Sequence, residues 1–525
     1  MTLKQLISGG FFCEELPPPF GSSQLAAKID IILPKVSSMS SVSGGFSSVN
    51  YLAPNKGIHR RHFSLPHPLP HIKLSDVIVS KWSEIELQYA KSNYSLSKPE
   101  IDTTGARAIV YLDKYEKFRE ACIIASSTKR YQLHLDIAKY FYSIYTHSIP
   151  WAIHTKPVAK ANQKDKRYWG NLIDNYLMMC QNFQTKGIPV GTDTSRIIAE
   201  ILGCTIDAEF ELALKSFGIN LRGYRFVDDC RYFFDSLRDS ELALDQYHKI
   251  LTSYGLGLNE EKTIIESSPC AYDNSWKLPL NSAPLERKFD RNQRSDLKNY
   301  FNLLIAVSKD NPKEPVFKYG IKRVRKIEVH KNNIELFESL LFCVSLHDPS
   351  ILPDILYFLE KYKSGISKPN LTNFIVVLIE QNVHKGNHYE VAWGLWIALY
   401  FEITLPAMVG QMVIDSRDVV SSVIAFDLIE RGRFDDTINT ADLILDLDNE
   451  SLNNELWLLA YEVEFHKWLP LKNINSSPLF KILKKENVSF YQSKTTVSTP
   501  STTAKRVGRK LPKKLVQHLV TELGY

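Results

Sequence analysis

The residues best suited to chemistry are three aspartates: Asp136 in the run LHLDIAKYFYSIY, and the pair Asp228-Asp229 in RFVDDCRYFF. An acidic pair alone is usually solvated surface. The chain supplies its own control in Arg433-Phe434-Asp435-Asp436, nearly the same text set among helix-type residues with no companion motif. What distinguishes Asp228 is its setting. Phe226 and Val227 before the pair, and Tyr232, Phe233 and Phe234 after it, read as strands, so the two acids fall at a tight hairpin. Adjacent carboxylates in an apolar hairpin repel one another and lose hydration, which is tolerable chiefly when a cation neutralises them. Asp136 ends an alternating segment in which Leu133 and Leu135 face one side and Gln132, His134 and Asp136 the other. On neighbouring strands, Asp136 and Asp228 would share two Mg²⁺ ions. Two such ions about 4 Å apart activate an attacking 3′-hydroxyl and stabilise a departing pyrophosphate, the chemistry of nucleotidyl transfer.

The elements that must hold these acids are legible around them. From about Leu65 to Ser268 short β-type runs alternate with helical stretches, with strands expected over 131–136 and 224–234, the pattern of an α+β domain. After about residue 290 the text is helical almost throughout. Leu352, Ile355, Leu356 and Leu359 form one apolar face behind the start signal Asp348-Pro349-Ser350, and Leu371, Phe374, Ile375 and Leu378 form another. Helix starts near Asn333, Ser350, Asn370, His388 and Ser416 are spaced by about 20 residues, as in an α-solenoid. Residues 37–50 are nearly all Ser and Gly and read as a flexible loop. Past Ser493 the chain turns to Thr, Ser and Lys, with six Lys or Arg between Lys505 and Lys514 and no acid among them, a basic tail suited to a polyanion. The expected division is therefore 1–56, 57–290, 291–493 and 494–525.

Composition narrows the class. The chain has 525 residues, 44% of them hydrophobic and 23% charged, which is globular and excludes a fibrous or wholly disordered protein. The uncharged stretch from Val391 to Phe401 has 11 residues, short of the roughly 18 that span a bilayer, and no secretion signal opens the chain. A cytoplasmic protein is expected. Seven scattered cysteines without a C-x-x-C pair read as reduced core thiols. Histidines 59, 62, 67 and 71 do not read as zinc ligands, because no Cys or acid accompanies them and Pro66, Pro68 and Pro70 interrupt the helix that such spacing would use.

The order of motifs then becomes specific. Asp136-x₄-Phe141, GIPVGTDTSRIIAE over 187–200, Phe226-Val227-Asp228-Asp229, and Gly257-Leu258-Asn259-x-x-Lys262-Thr263 resemble motifs A to D of reverse transcriptases. Glu15-Leu-Pro-Pro-Pro-Phe20, SIYTHSIPWAIH (143–154) and QNFQTKGIPVGTDTSRIIAEI (181–201) resemble the abortive-infection and defence-associated bacterial members. The resemblance covers about residues 11 to 290 and implies a right-hand fingers and palm, followed by the α-helical repeat-like region. It implies Asp136, Ile137, Asp228 and Asp229 as the metal set, with Asp136, Asp228, Asp229 and Lys262 catalytic. Phe141 matches an aromatic steric gate that excludes a ribose 2′-hydroxyl and so selects deoxynucleotides. Gly187, Pro189 and Gly191 let backbone approach the nascent base pair, with Ser195 and Arg196 opening a helix after them. Arg61 lies five residues before Pro66 as in an R-x₄-P triphosphate element, where a planar guanidinium suits phosphate oxygens. Arg60 and Arg107 are secondary candidates, as ready to be structural arginines. Tyr142 stands where relatives commonly carry Pro, and Phe226 where Tyr is usual.

The function expected from this resemblance is RNA-directed DNA synthesis from dNTPs in antiphage defence, with RNA or DNA as partner, a noncoding RNA template among the options, a homo-oligomer and no membrane. A template-independent, protein-primed DNA polymerase is the alternative within the family. A non-catalytic RNA-binding scaffold is disfavoured by three converging acids, which a scaffold has no physical need to bury. A nuclease is disfavoured by the gate and motif B, which serve an incoming nucleotide.

Overall fold

The structure is a computed structural model. It describes residues 1–492 apart from 38, 40–44, 56–58, 112, 272–273, 286–289, 449 and 472–475. Part of the Ser/Gly-rich stretch, Gly57 and the whole basic tail lie outside the described residues.

Among the described residues, eight strands form three sheets. Strands β1 (Val49–Pro54) and β2 (Arg60–Leu65) make a hairpin, as do the short β3 (Pro99–Ile101) and β4 (Ile109–Tyr111). The third sheet contains β5 (Tyr131–Asp136), β6 (Gly223–Phe226), β7 (Asp229–Phe234) and β8 (Ile264–Ser267), in the order β6-β7-β5-β8 and antiparallel throughout. The two expected strand segments are thus real and adjacent, with Asp136 opposite Asp229 and Leu135 opposite Cys230. Alternation explains the layering. Leu133, Leu135, Cys230 and Tyr232 point into a core shared with Ile197, Ile201 and Leu202 of the Asp193–Lys215 helix and with Ala243, Tyr247 and Leu251 of the Leu237–Ser253 helix. Phe233 packs on the opposite face against Phe118, Cys122 and Ala125 of the Tyr115–Ser126 helix. The sheet is therefore sandwiched, with the acidic hairpin at one end.

Past residue 290 the described chain is helical, as expected. Helices begin at Ile334, Leu352, Lys368, His388 and Val419, within three residues of the starts read from sequence, and both apolar faces singled out there are buried. The His388–Tyr400, Val419–Glu430 and Trp457–Phe465 helices are buried on almost all faces, and each packs on the next. They also reach the N-terminal part: Trp457 Nε1 donates to the Leu65 carbonyl at 3.3 Å, and Trp393 Nε1 to the Glu15 carbonyl at 2.9 Å. The chain closes where Gly21 N–H donates to Phe490 and Gln492 N–H to Pro19. Accordingly, Met1–Ser493 is one compact unit, within which indole and backbone hydrogen bonds join the segments on either side of 56/57 and 290/291.

Two smaller expectations are corrected. Cys343 is exposed and Cys270 half-exposed, so only five cysteines are core thiols. Arg433 to Asp436 lie past the end of the Val419–Glu430 helix, in irregular chain where Phe434 bridges Leu405 and Asp435 accepts from Ala407 N–H at 2.6 Å. That acid pair is spent on holding a loop. No helix among the described residues is long and apolar enough to cross a membrane.

Candidate active site

The hairpin between β6 and β7 turns on Val227 and Asp228, and it is bonded directly to the end of β5. Ile137 N–H donates to the Asp228 carbonyl at 3.2 Å. A third segment closes the site: Asn259 N–H donates to the Asp136 carbonyl at 2.8 Å, and Ala138 N–H to Gly257 at 2.9 Å. The Glu260–Lys262 turn that follows delivers Lys262, whose Nζ reaches Asp136 Oδ2 at 2.5 Å while Asn259 Nδ2 donates to Oδ1 at 3.1 Å. Burial, together with the neighbouring charge of Asp136, pushes the Asp228 carboxyl up to about 6, and Lys262 only partly offsets this. Two carboxylates that repel, facing one lysine, are a donor set that a hard cation would relieve. Ile137 has a hydrocarbon side chain with no donor atom, so its main-chain carbonyl is the only oxygen it can offer a metal.

Asp229, opposite Asp136 across the β5–β7 pair, has side-chain partners of its own. Its Oδ1 accepts from His134 Nε2 at 3.0 Å and its Oδ2 from the Tyr115 hydroxyl at 2.8 Å, with Arg231 3.8 Å away. Burial opposes ionisation of Asp229, but these partners outweigh it and hold the carboxyl below the usual carboxylate range. Among the described residues no three His, Cys, Asp or Glu side chains form a ready-made metal cluster. At this site Asp136 is engaged by Lys262 and Asp229 by His134 and Tyr115, while Asp228 feels the charge of both, that of Asp136 more than that of Asp229.

Behind the turn lies a buried ionic lattice that sequence reasoning missed. Arg225, fully buried, donates through Nε to Asp207 Oδ1 and Oδ2 at 3.0 and 2.9 Å and through Nη2 to Glu200 Oε1 at 2.9 Å. Its Nη1 donates to the Val227 carbonyl at 2.9 Å. Ser95 and Ser97 donate to Glu200 and Ser92 to Asp207, while Ser97 Oγ accepts from Val227 N–H at 2.8 Å. Gly203 makes the room, since a Cβ there would lie 2.7 Å from the guanidinium carbon. The available signal was the alternation of β6, which turns an arginine inward beside the acid pair. Its partners at 92–97, 200 and 207 are too distant in sequence to read.

Residues 88–280 match the family model described as reverse transcriptase (RNA-dependent DNA polymerase). This segment is a reverse transcriptase domain. It contains Asp136, Asp228, Asp229, Lys262 and the whole lattice, and it is the catalytic unit of an RNA-directed DNA polymerase. No curated protein matches the chain. Among solved structures, apo telomerase from Candida tropicalis is similar over 73% of this chain and 71% of its own, at 13% identity and a TM-score of 0.32. Telomerase from the same organism with the TWJ fragment of telomeric RNA is similar over 80% of this chain and 71% of its own, at 14% identity and a TM-score of 0.29. Scores that low carry no argument, so the assignment rests on the family match.

Around the acids of the reverse transcriptase domain, the remaining site residues fall into two groups. Phe141 lies one short turn beyond Asp136, half-buried, and its carbonyl accepts from Ile188 N–H at 2.9 Å, which fastens this residue to the Gly187–Gly191 segment. Gly187 and Gly191 have φ of +86° and +105°, and a Cβ at Gly191 would strike Cys13 and Phe63, so both positions require glycine. Pro189 is buried between them. The β1–β2 hairpin joins this segment through Ser64 N–H to Val190, and the Tyr142 hydroxyl both accepts from His62 N–H at 3.1 Å and donates to the His62 carbonyl at 2.8 Å. Arg61 is exposed on that hairpin beside His62.

The second group is engaged elsewhere. Arg60 pairs with the fully buried Glu390 at 2.5 Å. Arg107 donates to the Phe12 carbonyl at 2.7 Å and to Asp193 Oδ1 at 2.7 Å, pinning the N-terminal segment to the start of the motif B helix. Ser195 is buried and receives a hydrogen bond from the Thr192 hydroxyl at 3.0 Å, so it faces the interior; Thr192, absent from the sequence reading, is the helix cap. His67 and His71 stack on Phe46 and Phe11 in the core, where burial lowers both to about 3 and keeps them neutral.

Proposed function

We propose that the chain is a Mg²⁺-dependent polymerase that makes DNA from dNTPs on an RNA template and acts in antiphage defence. The observation that carries the reading is the apposition of Asp136 and Asp228, repelling each other beside Lys262, inside a reverse transcriptase domain. Asp136 and Asp228, with the Ile137 carbonyl, would hold the ions, all hard oxygen donors of the kind Mg²⁺ takes. When bound, the ions supply activation of a primer 3′-hydroxyl and charge neutralisation on the departing pyrophosphate. The chain's residues do the rest. Lys262, already at the edge of the acid pair, stands as cation beside the phosphates. Phe141 closes the space a 2′-hydroxyl would need, and Arg61 projects a free guanidinium towards solvent for the triphosphate. His134 and Tyr115 keep Asp229 as a fixed background charge.

The defence role is supported by the likeness of residues 15–20, 143–154 and 181–201 to defence-associated enzymes, and with it come the expectations of a nucleic-acid template held by the helical region and of self-assembly. The test is incorporation of labelled dNTPs into acid-insoluble product on a primed RNA template, comparing wild type with D136N and D228N. Undiminished incorporation by either variant would remove the proposed catalysis. Equal phage plating on bacteria expressing wild type or D228N would remove the defence role, and a clean 60 kDa monomer in solution would remove self-assembly.

A further inference from the structure

The lattice behind the hairpin does more than fill the interior. Val227 has φ of +58°, a conformation that a β-branched side chain adopts only at a cost, and it directly precedes Asp228. Both main-chain polar groups of that one residue are claimed by the lattice: its N–H donates to Ser97 Oγ at 2.8 Å and its carbonyl accepts from Arg225 Nη1 at 2.9 Å. Ser97 and Arg225 are in turn fixed by the same carboxylate, Glu200, at 2.9 Å from each. Glu200 and Asp207 sit two turns apart on the helix that opens with the Gly187–Gly191 segment, and Ser92 to Ser97 form a loop preceding β3. A buried ion group is weak as a device for stability alone, because apolar packing of equal volume does as well or better. A strained backbone persists only where its surroundings over-determine it, and here the strained residue adjoins a proposed metal ligand.

We propose that Ser97 and Arg225 are positioning residues that clamp the main chain of Val227 in its left-handed turn and thereby fix the Asp228 carboxylate for cation binding. The clamp couples the motif B helix to the acid pair, so the base-pair side and the metal side of the site are set by one group, Glu200. This inference rests on the polymerase reading for its functional meaning, but its physical content, cation affinity at Asp228, is measurable without catalysis.

The experiment uses the full chain and reads Mn²⁺ binding by electron paramagnetic resonance, Mg²⁺ half-saturation of DNA synthesis, and KM for dNTP. The Ser97→Ala substitution removes the acceptor for Val227 N–H and leaves every acid in place. It is expected to weaken Mn²⁺ binding about five- to tenfold, the worth of about one hydrogen bond, and to raise the Mg²⁺ requirement equally with KM for dNTP unchanged. Ser97→Thr, which keeps the hydroxyl, should bind like wild type. Val227→Gly relieves the strain, so S97A added to V227G should have no further effect on Mn²⁺ affinity. That loss of sensitivity separates positioning from general damage. Full Mn²⁺ affinity in S97A overturns the proposal, as does an equal loss in the S97A/V227G double variant relative to V227G. Should S97A fold poorly, the V227G-background pair decides alone. A wild-type chain that binds Mn²⁺ and makes no DNA refutes the polymerase reading while leaving the clamp standing; a wild type that binds no Mn²⁺ refutes both.

Discussion

Asp228→Asn should abolish synthesis and yet stabilise the metal-free protein. In the folded chain the Asp228 carboxyl is pushed from 3.8 up to about 6 by burial and by Asp136. A difference of about two units, at 1.36 kcal/mol each, sets an upper limit of about 3 kcal/mol on the cost of ionising it, and partial exposure reduces that to about 1–2 kcal/mol. The folded state binds the proton more tightly than the unfolded state. The contribution of this carboxyl is therefore fully present below about pH 4, is lost as pH rises through about 6, and is absent at pH 8. Urea unfolding in chelator should find D228N more stable than wild type by about 1–2 kcal/mol at pH 8, with the gap reduced to about a third to a half of that at pH 4.5. Saturating Mg²⁺ should shrink or reverse the gap at pH 8, since bound cations stabilise only the chain that holds both acids. A D228N chain no more stable than wild type at pH 8 without metal, or more stable by the same amount at both pH values, would refute the claim that Asp136 and Asp228 repel across one site.

Three further outcomes follow from contacts in the domain and its hairpin. Phe141→Ala should open the sugar side of the site and lower discrimination of dNTP over rNTP by about tenfold or more in competing-substrate assays, while unchanged discrimination removes the gate assignment. Tyr142→Phe loses both hydrogen bonds to His62 and with them the tether between the hairpin bearing Arg61 and the turn bearing Phe141; KM for dNTP should rise about three- to tenfold with kcat nearly constant. The adjacent arginines should separate cleanly: Arg60→Ala strands the buried Glu390 carboxylate and costs about 3 kcal/mol in chemical unfolding, whereas Arg61→Ala leaves unfolding unchanged and raises KM for dNTP. The reverse pattern would exchange their roles.

How much of this was legible beforehand depended on range. Leu133 and Leu135 against His134 and Asp136, or the aromatics after Asp229, declare a strand within six residues, and Leu352 to Leu359 declare a helix face within eight, because periodicity is a local property. Asp136, Asp228 and Lys262 were placed together because their motif order is itself information. The orientation of Asp229 was not legible, since it depends on Tyr115, more than a hundred residues earlier in the chain. Nor was the lattice around Arg225, where three serines, two acids and one glycine matter only once a loop, a helix and a strand have met. Arg60 and Arg61 look equivalent in sequence; strand alternation sends one to Glu390 and the other to solvent. Long-range ties were illegible for the same reason, because Trp393 and Trp457 read as ordinary helix residues until they reach the backbone of Glu15 and Leu65.

The stitch between Pro19–Gly21 and Phe490–Gln492 has a consequence for biosynthesis. Phe11 and Phe12 meet Phe490 edge-on and Phe20 meets Tyr491, so residues 11–20 depend on aromatic partners from a far later part of the chain. A chain whose synthesis stops before Phe490 therefore carries an open seam along residues 11–20, with Phe11, Phe12 and Phe20 deprived of these partners.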